Sequence, residues 1–244
     1  MTNEHVLQDH AHRQVVRIGD TVRRPVQPWT ETVHALLRHL EAVGFPWAPR
    51  VLGFDGEGRE VLSYIDGESG PLGWAKVVDD DGLSAFARLL RDYHDATSSF
   101  TPPGDAAWAV GATTADSEVV CHGDFGPWNV VWQGPQPVGL IDVDFARPAA
   151  RLHDIAYALQ YVAPFRDDAE CTGWLHYPQP PDRHRRLEVF CTAYGLSSAE
   201  GVVDAVIREQ QDTIERVRIS SADDPSLERA SDRAQPSVSS RAVT

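Results

Sequence analysis

One stretch of acidic and amide residues beside a predicted hairpin constrains this chain more than any other feature. The segment Cys121–Asn129 reads CHGDFGPWN and leads into the mainly apolar stretch Val130–Gln133. A turn rich in glycine and proline then returns the chain through Val138–Ile141 to Asp142. If these two strands pair across a turn of about four residues, Asn129 faces Asp142 at a separation of about 5 Å.

The chemistry of that pair suits a hard divalent cation. An amide oxygen and a carboxylate can share Mg²⁺, which keeps water ligands and takes others from bound phosphates. Asp124 lies at the start of the loop, after the apolar run Val119–Cys121, where it can orient an attacking hydroxyl or accept its proton. Kinase catalytic loops have the same interval between an aspartate and an asparagine. The pattern therefore predicts a magnesium-dependent phosphoryl-transfer site.

The segments His122–Asn129 and Ile141–Asp144 resemble the aminoglycoside phosphotransferase family, whose pattern is H-G-D-x-x-x-x-N followed by I-D-x-[D/E/G]. Choline kinases are of a related type. The resemblance implies an α+β, bilobal protein-kinase-like fold with a reduced amino-terminal β-sheet lobe and a mainly helical carboxy-terminal lobe.

The resemblance also implies roles for individual residues. Asp124 would be the catalytic base, and Asn129 and Asp142 would be ligands of Mg²⁺, with ATP or GTP as the phosphate donor. His122 would hold the loop in place, and Asp154 would be the structural acid behind it.

Asp144 has two interpretations, a hydrogen-bonding role or a contact with a second metal ion. We expect the hydrogen-bonding role.

The amino-terminal part departs from the kinase pattern. The only lysine, Lys76, falls after the predicted hinge, so a Walker-A loop, which needs Gly-Lys-Ser/Thr, is excluded. If the lysine that kinases place on their third strand is replaced at all, its substitute must be an arginine, either Arg24 or Arg23. The alternative is that both arginines only mark an exposed strand end.

The following helix also departs from the family. Its apolar residues recur with a helical period from Val33 to Leu40, and the family's glutamate aligns with His34. Glu31 is a substitute partner for the arginine or, equally, a solvated acid in the first turn. No glycine precedes Val15, so the phosphate-covering loop is expected to be lost or rebuilt.

A predicted strand from Glu60 runs into the hinge at Asp66 and Gly67. By the resemblance, the backbone of Ser63, Tyr64 and Ile65 would contact the nucleotide base.

Composition bounds the remaining possibilities. The chain has 244 residues, 42% of them hydrophobic, which suffices for a substantial core. Its net charge of −14 argues against nucleic acid as a partner and suits a cationic small molecule. The family resemblance implies that this small-molecule substrate carries a hydroxyl group. No apolar run is long enough for a membrane span, and an odd number of cysteines without a CxxC pair fits the cytoplasm. We expect lobes at residues 1–67 and 68–219, and a disordered tail at 220–244.

Two functions remain open. The first is a small-molecule kinase that phosphorylates a hydroxyl group, for example on an aminoglycoside-like antibiotic. The second is a kinase-like binding or self-immunity protein that sequesters a compound without phosphoryl transfer. The stretch Val15–Pro25 is similar to short bacterial proteins of this family that are labelled trifolitoxin immunity proteins, which motivates the second.

Overall fold

In the computed structural model, which describes residues 4–10, 13–111, 117–175 and 177–211, the amino-terminal part forms a five-stranded antiparallel sheet. The strand order is β1-β2-β3-β5-β4. The strands are β1 (Glu4–His10), β2 (Arg13–Ile18), β3 (Thr21–Arg24), β4 (Val51–Phe54) and β5 (Glu60–Ser63).

The edge strand β1 is the element of this sheet that the sequence did not predict. It pairs with β2 from Glu4 opposite Ile18 to His10 opposite Arg13. Residues 4–8 are all exposed, so neither face of β1 needs apolar side chains in alternation. The strand therefore lacks the sequence pattern by which a half-buried strand is recognised. The lobe is therefore one strand larger than expected.

Helix α1 (Thr30–Ala42) packs its apolar face into the core as predicted. Val33, Leu36 and Leu40 are almost completely buried. The chain leaves the helix through Gly44, whose φ of 80° lies in the left-handed region that favours glycine.

The rest of the described chain is mainly helical, with two small two-stranded sheets. One sheet pairs β6 (Val119–Cys121) with β9 (Arg147–Ala149), and the other pairs β7 (Val130–Gln133) with β8 (Gln136–Leu140). The helices are α2 (Gly73–Lys76), α3 (Asp80–Thr97), α4 (Arg151–Val162), α5 (Asp168–Gly173), α6 (Arg183–Tyr194) and α7 (202–211). In the part of the chain that the structure describes, no helix is both long and apolar enough to cross a membrane.

The largest hydrophobic cluster of the described residues connects the sheet-bearing part with the helical part. It contains Leu37 of α1, Phe86 and Leu90 of α3, Leu159 of α4 and Phe190 of α6, all at most 1% exposed. Helix α1 is thus packed into the same core as helices α3, α4 and α6.

The predicted register of the β7–β8 hairpin is wrong. Gln133 pairs with Gln136 and Val130 with Leu140, because the turn spans only two residues and a β-bulge follows it. The turn is tight because Gly134 has a φ of 59°. The chain continues past β8 with the Ile141 N–H donating to the Asn129 carbonyl at 2.9 Å, so Asp142 follows immediately after the residue opposite Asn129.

The predicted lobe boundary at residue 67 stays a prediction. The predicted disordered tail at 220–244 lies outside the described residues.

Candidate active site

The loop that the sequence predicts to be catalytic, residues 122–129, is held from behind by one buried carboxylate on α4. Asp154 accepts hydrogen bonds from the N–H of His122 at 2.6 Å, from the N–H of Gly123 at 2.9 Å and from His94 Nε2 at 3.0 Å. Burial by itself would raise the pKa of Asp154, but the hydrogen bond and charge of His94 outweigh it and lower this pKa well below its usual range. Asp154 therefore fixes the loop backbone as an anion.

His94, Cys121 and Asp154 lie close enough together to be considered as a metal site, with ligand atoms within 4.8 Å of one another. Their donors are already used. Both Asp154 oxygens accept hydrogen bonds, the Cys121 thiol donates to the Ala150 carbonyl, and burial raises the thiol pKa well above its usual value. This cluster supports the loop rather than offering a free site.

His122 links the loop to the segment that precedes Asp142. Its Nδ1 accepts from the N–H of Asp124 at 3.3 Å, so Nε2 carries the proton and donates to the Ile141 carbonyl at 3.0 Å. The holding role expected for His122 matches this geometry.

Gly123 allows the loop to pass close to its neighbour. Its φ is 80°, and a Cβ there would lie 2.1 Å from the carbonyl oxygen of Phe145. Only glycine fits at this point.

The carboxylate of Asp124 is held on both of its oxygens. Oδ2 accepts from Asn129 Nδ2 at 2.8 Å and from Trp128 Nε1 at 3.4 Å, while Oδ1 accepts from the Tyr157 hydroxyl at 2.5 Å. Burial and the charge of Asp124 raise the pKa of Tyr157, so its phenol remains a proton donor. The predicted catalytic base is thus in a fixed orientation.

Asn129 and Asp142 present the oxygen donors that the sequence assigned to a metal ion. Because the Asn129 amide nitrogen donates to Asp124, its Oδ1 is the atom suited to a cation. The Asp142 side chain is 25% exposed, and its backbone is left-handed with a φ of 61°. Aspartate tolerates that conformation better than most residues, and such a conformation is often found at functional sites. Two hard oxygen donors at the end of one hairpin fit Mg²⁺.

Arg24 lies buried among three carboxylates. Its guanidinium is 2.6 Å from Glu60 Oε1, 2.8 Å from Asp144 Oδ1 and 3.7 Å from Asp142 Oδ1. Burial would lower the pKa of Arg24, but the charges of Asp144, Glu60 and Asp142 raise it. Of the two candidate arginines, Arg24 is the one at the site. The ion pair with Asp144 also favours a charge-pairing role for that residue over a metal contact.

Glu60 takes the place that the sequence gave to Glu31. It lies directly opposite Arg24 in the β3–β5 pairing, and its second oxygen is 2.9 Å from Nε2 of the buried His34. Glu31 is exposed on α1. His34, which aligns with the family's glutamate, is therefore connected to Arg24 through the carboxylate of Glu60 on β5.

Arg23 is directed away from the site. Neighbouring strand residues face opposite sides of a sheet, and Arg23 pairs instead with Asp55 at 3.6 Å.

Two hinge residues use their N–H groups within the protein. Ser63 donates to the Arg50 carbonyl and Tyr64 to the Asp20 carbonyl, both at 2.9 Å. Ile65 packs against Gly139 of β8, where a Cβ would lie 2.8 Å from the isoleucine side chain. The nucleotide contacts expected of these three residues stay a prediction.

Tyr157 is a site residue that the sequence interpretation missed. It follows Asp154 by three residues on α4, so the two side chains share one helix face. Because Asp154 binds the N–H groups of His122 and Gly123, a side chain one turn further along α4 can reach Asp124. This spacing was a usable signal.

Comparisons with known proteins identify the family and the fold. Residues 105–189 match the model of a family described as the phosphotransferase enzyme family. The chain is 38% identical over 219 residues to the trifolitoxin immunity protein of Rhizobium leguminosarum bv. trifolii, covering 85% of this chain and 80% of that protein.

Solved structures of low sequence identity share the fold. An aminoglycoside phosphotransferase from Streptomyces rimosus, in complex with ADP and streptomycin, superposes with a TM-score of 0.55 at 17% identity, over 81% of this chain and 89% of that one. An ethanolamine kinase from Plasmodium vivax gives a TM-score of 0.57 at 13% identity, over 85% of this chain and 71% of that one. The kinase-like α+β fold predicted from the sequence is confirmed.

Proposed function

Since this chain belongs to the phosphotransferase enzyme family and is a relative of the trifolitoxin immunity protein, we propose that it transfers the terminal phosphate of ATP or GTP to a hydroxyl group of a small molecule. The observation that carries the proposal is the assembled catalytic loop. Asp124 is oriented by Asn129 and Tyr157, and Asp142 follows the hairpin strand that is bonded to Asn129. A chain that only binds a ligand has no chemical need for this arrangement.

In the proposed reaction the acceptor hydroxyl binds at Asp124 Oδ1 in place of the Tyr157 hydroxyl. The acceptor oxygen forms a bond to the terminal phosphorus, and the bond from that phosphorus to the bridging oxygen breaks. The nucleoside diphosphate leaves with the bridging electrons, and the acceptor proton passes to Asp124. The hydrogen bonds from Asn129 and Trp128 to Oδ2 keep Oδ1 directed toward the acceptor.

Asn129 and Asp142 would hold Mg²⁺, which neutralises phosphate charge when it is bound. Arg24 is the permanent cation beside this position, and Glu60 and Asp144 hold its guanidinium in one orientation. Because Nε and Nη2 are paired with these two carboxylates, Arg24 would act on a bound phosphate through its permanent positive charge rather than through a two-pronged hydrogen bond.

The fold neighbours support a nucleotide and a small molecule as the two substrates. The Streptomyces rimosus protein was solved with ADP and streptomycin. An aminoglycoside-like antibiotic is therefore one acceptor to test. The three cysteines are free and buried, which supports the cytoplasmic location predicted from the sequence.

A second function is favoured by two observations. The curated relative is named for immunity rather than for catalysis. In addition, the Tyr157 hydroxyl occupies the Asp124 oxygen that an acceptor needs. A kinase-like protein that sequesters a toxic compound without phosphoryl transfer would be compatible with both.

The melting temperature, measured with ATP and with GTP and each with and without Mg²⁺, shows whether the protein binds a nucleotide. This distinguishes the phosphotransferase from the binding protein. We expect stabilisation that needs both nucleotide and metal and that disappears in Asp142→Asn. Asparagine is the right replacement because it removes the charge but also tolerates a left-handed backbone. The absence of any shift with either nucleotide would favour the binding protein.

Turnover is tested with Asp124→Asn, which we expect to keep nucleotide binding and lose phosphoryl transfer by about 100-fold or more. The matched control is Asp204→Asn, an exposed carboxylate on α7. Undiminished transfer in Asp124→Asn would remove the assignment of the base.

A further inference from the structure

Five aromatic side chains form a continuous strip that begins at the catalytic carboxylate. Ring centroids are 5.4 Å apart for Tyr157 and Tyr161, and 4.8 Å for Tyr161 and Trp128. The strip continues with 5.2 Å from Trp128 to Trp74 and 6.0 Å from Trp74 to Trp174. We call these five residues the aromatic strip.

The aromatic strip is assembled from separate parts of the chain. Tyr157 and Tyr161 are one turn apart on α4, Trp128 belongs to the catalytic loop, Trp74 lies on α2, and Trp174 directly follows α5. The inner four are partly buried, whereas Trp174 is 56% exposed. The strip therefore runs from partly buried rings beside Asp124 to the exposed Trp174, and exposed apolar surface of this kind often marks a ligand-binding surface.

The inner end of the strip is in direct contact with the reacting group. Tyr157 and Trp128 donate to the two oxygens of Asp124. The Tyr157 hydroxyl is 2.5 Å from Oδ1, the position that an acceptor hydroxyl must take. The Tyr157 phenol thus already places a ring-bound hydroxyl at Asp124 Oδ1. The other rings of the strip extend from Tyr157 toward the surface.

Charge at the outer end does not favour a polycation. The α5 acids Asp168 and Glu170 are paired with Arg183 at 2.8 Å and with Arg166 at 3.5 Å. The Arg166 guanidinium also lies over the Trp174 ring, 4.9 Å from its centroid. A ligand leaving the strip meets a positive group stacked on an aromatic face, which suits a flat, uncharged ring better than several ammonium groups.

We propose that the aromatic strip is the acceptor subsite and that the acceptor is a hydroxylated molecule with a flat aromatic or heteroaromatic body, stacked on Trp128, Trp74 and Trp174. This inference rests on the proposed role of Asp124 as the group that receives the acceptor hydroxyl. The sequence analysis expected a cationic, aminoglycoside-like acceptor, whereas this inference predicts an acceptor with a flat aromatic body.

The test measures binding, so that it does not depend on turnover. The probes are tryptophol, which joins a primary alcohol to an indole, 2-cyclohexylethanol, which has the alcohol on a saturated ring, and streptomycin. Dissociation constants are measured by ligand-observed NMR on the full chain with ADP and Mg²⁺. The variants are Trp174→Ala, the conservative Trp174→Phe, and Phe54→Ala as a matched control, since Phe54 is a 48% exposed aromatic on β4.

We expect tryptophol to bind more tightly than either other probe. Trp174→Ala should weaken it by about fivefold, the scale of one aromatic contact, while Trp174→Phe should retain most of the affinity. Phe54→Ala should leave the affinity unchanged. Equal binding of tryptophol and cyclohexylethanol, tighter binding of streptomycin, or no effect of Trp174→Ala would each overturn the inference.

The same preparation separates failure of the inference from failure of the proposed function. If Mg²⁺ and ATP stabilise the protein through Asp142 but the probes show no aromatic preference, only the acceptor class is wrong. If tryptophol binds through Trp174 but no nucleotide stabilises the protein, the subsite stands and the phosphotransferase proposal fails.

Discussion

Arg24 shows how much of this site depends on single charged groups. One guanidinium lies within ion-pair distance of Glu60, Asp142 and Asp144, and all but Asp142 are buried. Removing one member of a buried ion pair is costly, because the remaining charge keeps its desolvation penalty without its partner. We expect the largest loss of stability when the charge of Glu60 is removed, because Glu60 contacts both Arg24 and His34.

Glu60→Gln should therefore lower the free energy of unfolding by about 3 kcal/mol. The change keeps the shape of the side chain and removes the charge that faces Arg24 and His34. Urea denaturation measures the effect. The control is Glu57→Gln, whose side chain is 73% exposed and 3.4 Å from Arg59, and which should show no measurable change. A loss no larger than the control's would contradict a buried ionic role for Glu60.

The lowered pKa of Asp154 predicts how its contribution depends on pH. A carboxylate with a depressed pKa in the folded state stabilises fully above its unfolded pKa of about 3.9, and this contribution is lost as pH falls toward the folded pKa. The difference in unfolding free energy between wild type and Asp154→Asn should thus be constant near neutral pH and shrink progressively as the pH falls below about 5. A difference that grows on acidification would give the opposite sign and reject the assignment.

The sequence located some of these residues and missed others for a physical reason. Asp124, Asn129 and Asp142 lie in a short segment whose spacing is set by one loop and one hairpin, so pattern alone identified them. Glu60 and Tyr157 reach the site through strand pairing and helix packing between distant segments. The Glu60 contact depends on the pairing of two strands that are distant in sequence, which is why Glu31 was preferred to Glu60. Tyr157 was overlooked although its spacing from Asp154 on α4 was a usable signal.

At the scale of elements, the one-turn helix α2 supports the catalytic loop by close packing. Gly73, its first residue, is so near the loop that a Cβ would lie 1.9 Å from the Pro127 carbonyl oxygen. The sequence analysis did not predict α2, because four residues carry no periodic signal. Longer elements such as α1 were predicted because their apolar residues repeat over several turns.

Gly73→Ala should push the Pro127 segment away from α2, lowering stability by about 2 kcal/mol and reducing phosphoryl transfer. The matched control is Gly173→Ala, a helical glycine around which a Cβ meets nothing within 4 Å. Alanine there should be neutral or slightly stabilising, because it has a higher helix propensity. Comparing the two by thermal unfolding and by turnover isolates the steric effect, and equal behaviour of the two variants would contradict it.

At the scale of the molecule, the sheet-bearing and helical parts share one core. Leu37 of α1 and Leu90 of α3 belong to the same buried cluster, although the sequence divided the chain into lobes at residue 67. The bilobal fold class is confirmed, but the boundary does not separate two hydrophobic cores within the described residues. A sequence shows which faces are apolar but not which faces meet, so this joining could not be predicted.

The shared core predicts that the described part of the chain unfolds in one cooperative step. Urea transitions followed by far-UV circular dichroism and by tryptophan fluorescence should coincide. Leu37→Ala should shift both probes together and lower the unfolding free energy by about 3 kcal/mol. Two separated transitions, or a Leu37→Ala effect seen by only one probe, would show that the parts fold independently.

The position of Arg24 also has a consequence during protein synthesis. Its partner Glu60 leaves the ribosome soon after it, but Asp142 and Asp144 are added only when the hairpin after the catalytic loop is made. Until then the guanidinium lacks two of its three counter-charges, and the apolar face of α1 lacks the helices that cover it. The charge cluster around Arg24 can therefore be completed only after the later half of the chain has been made.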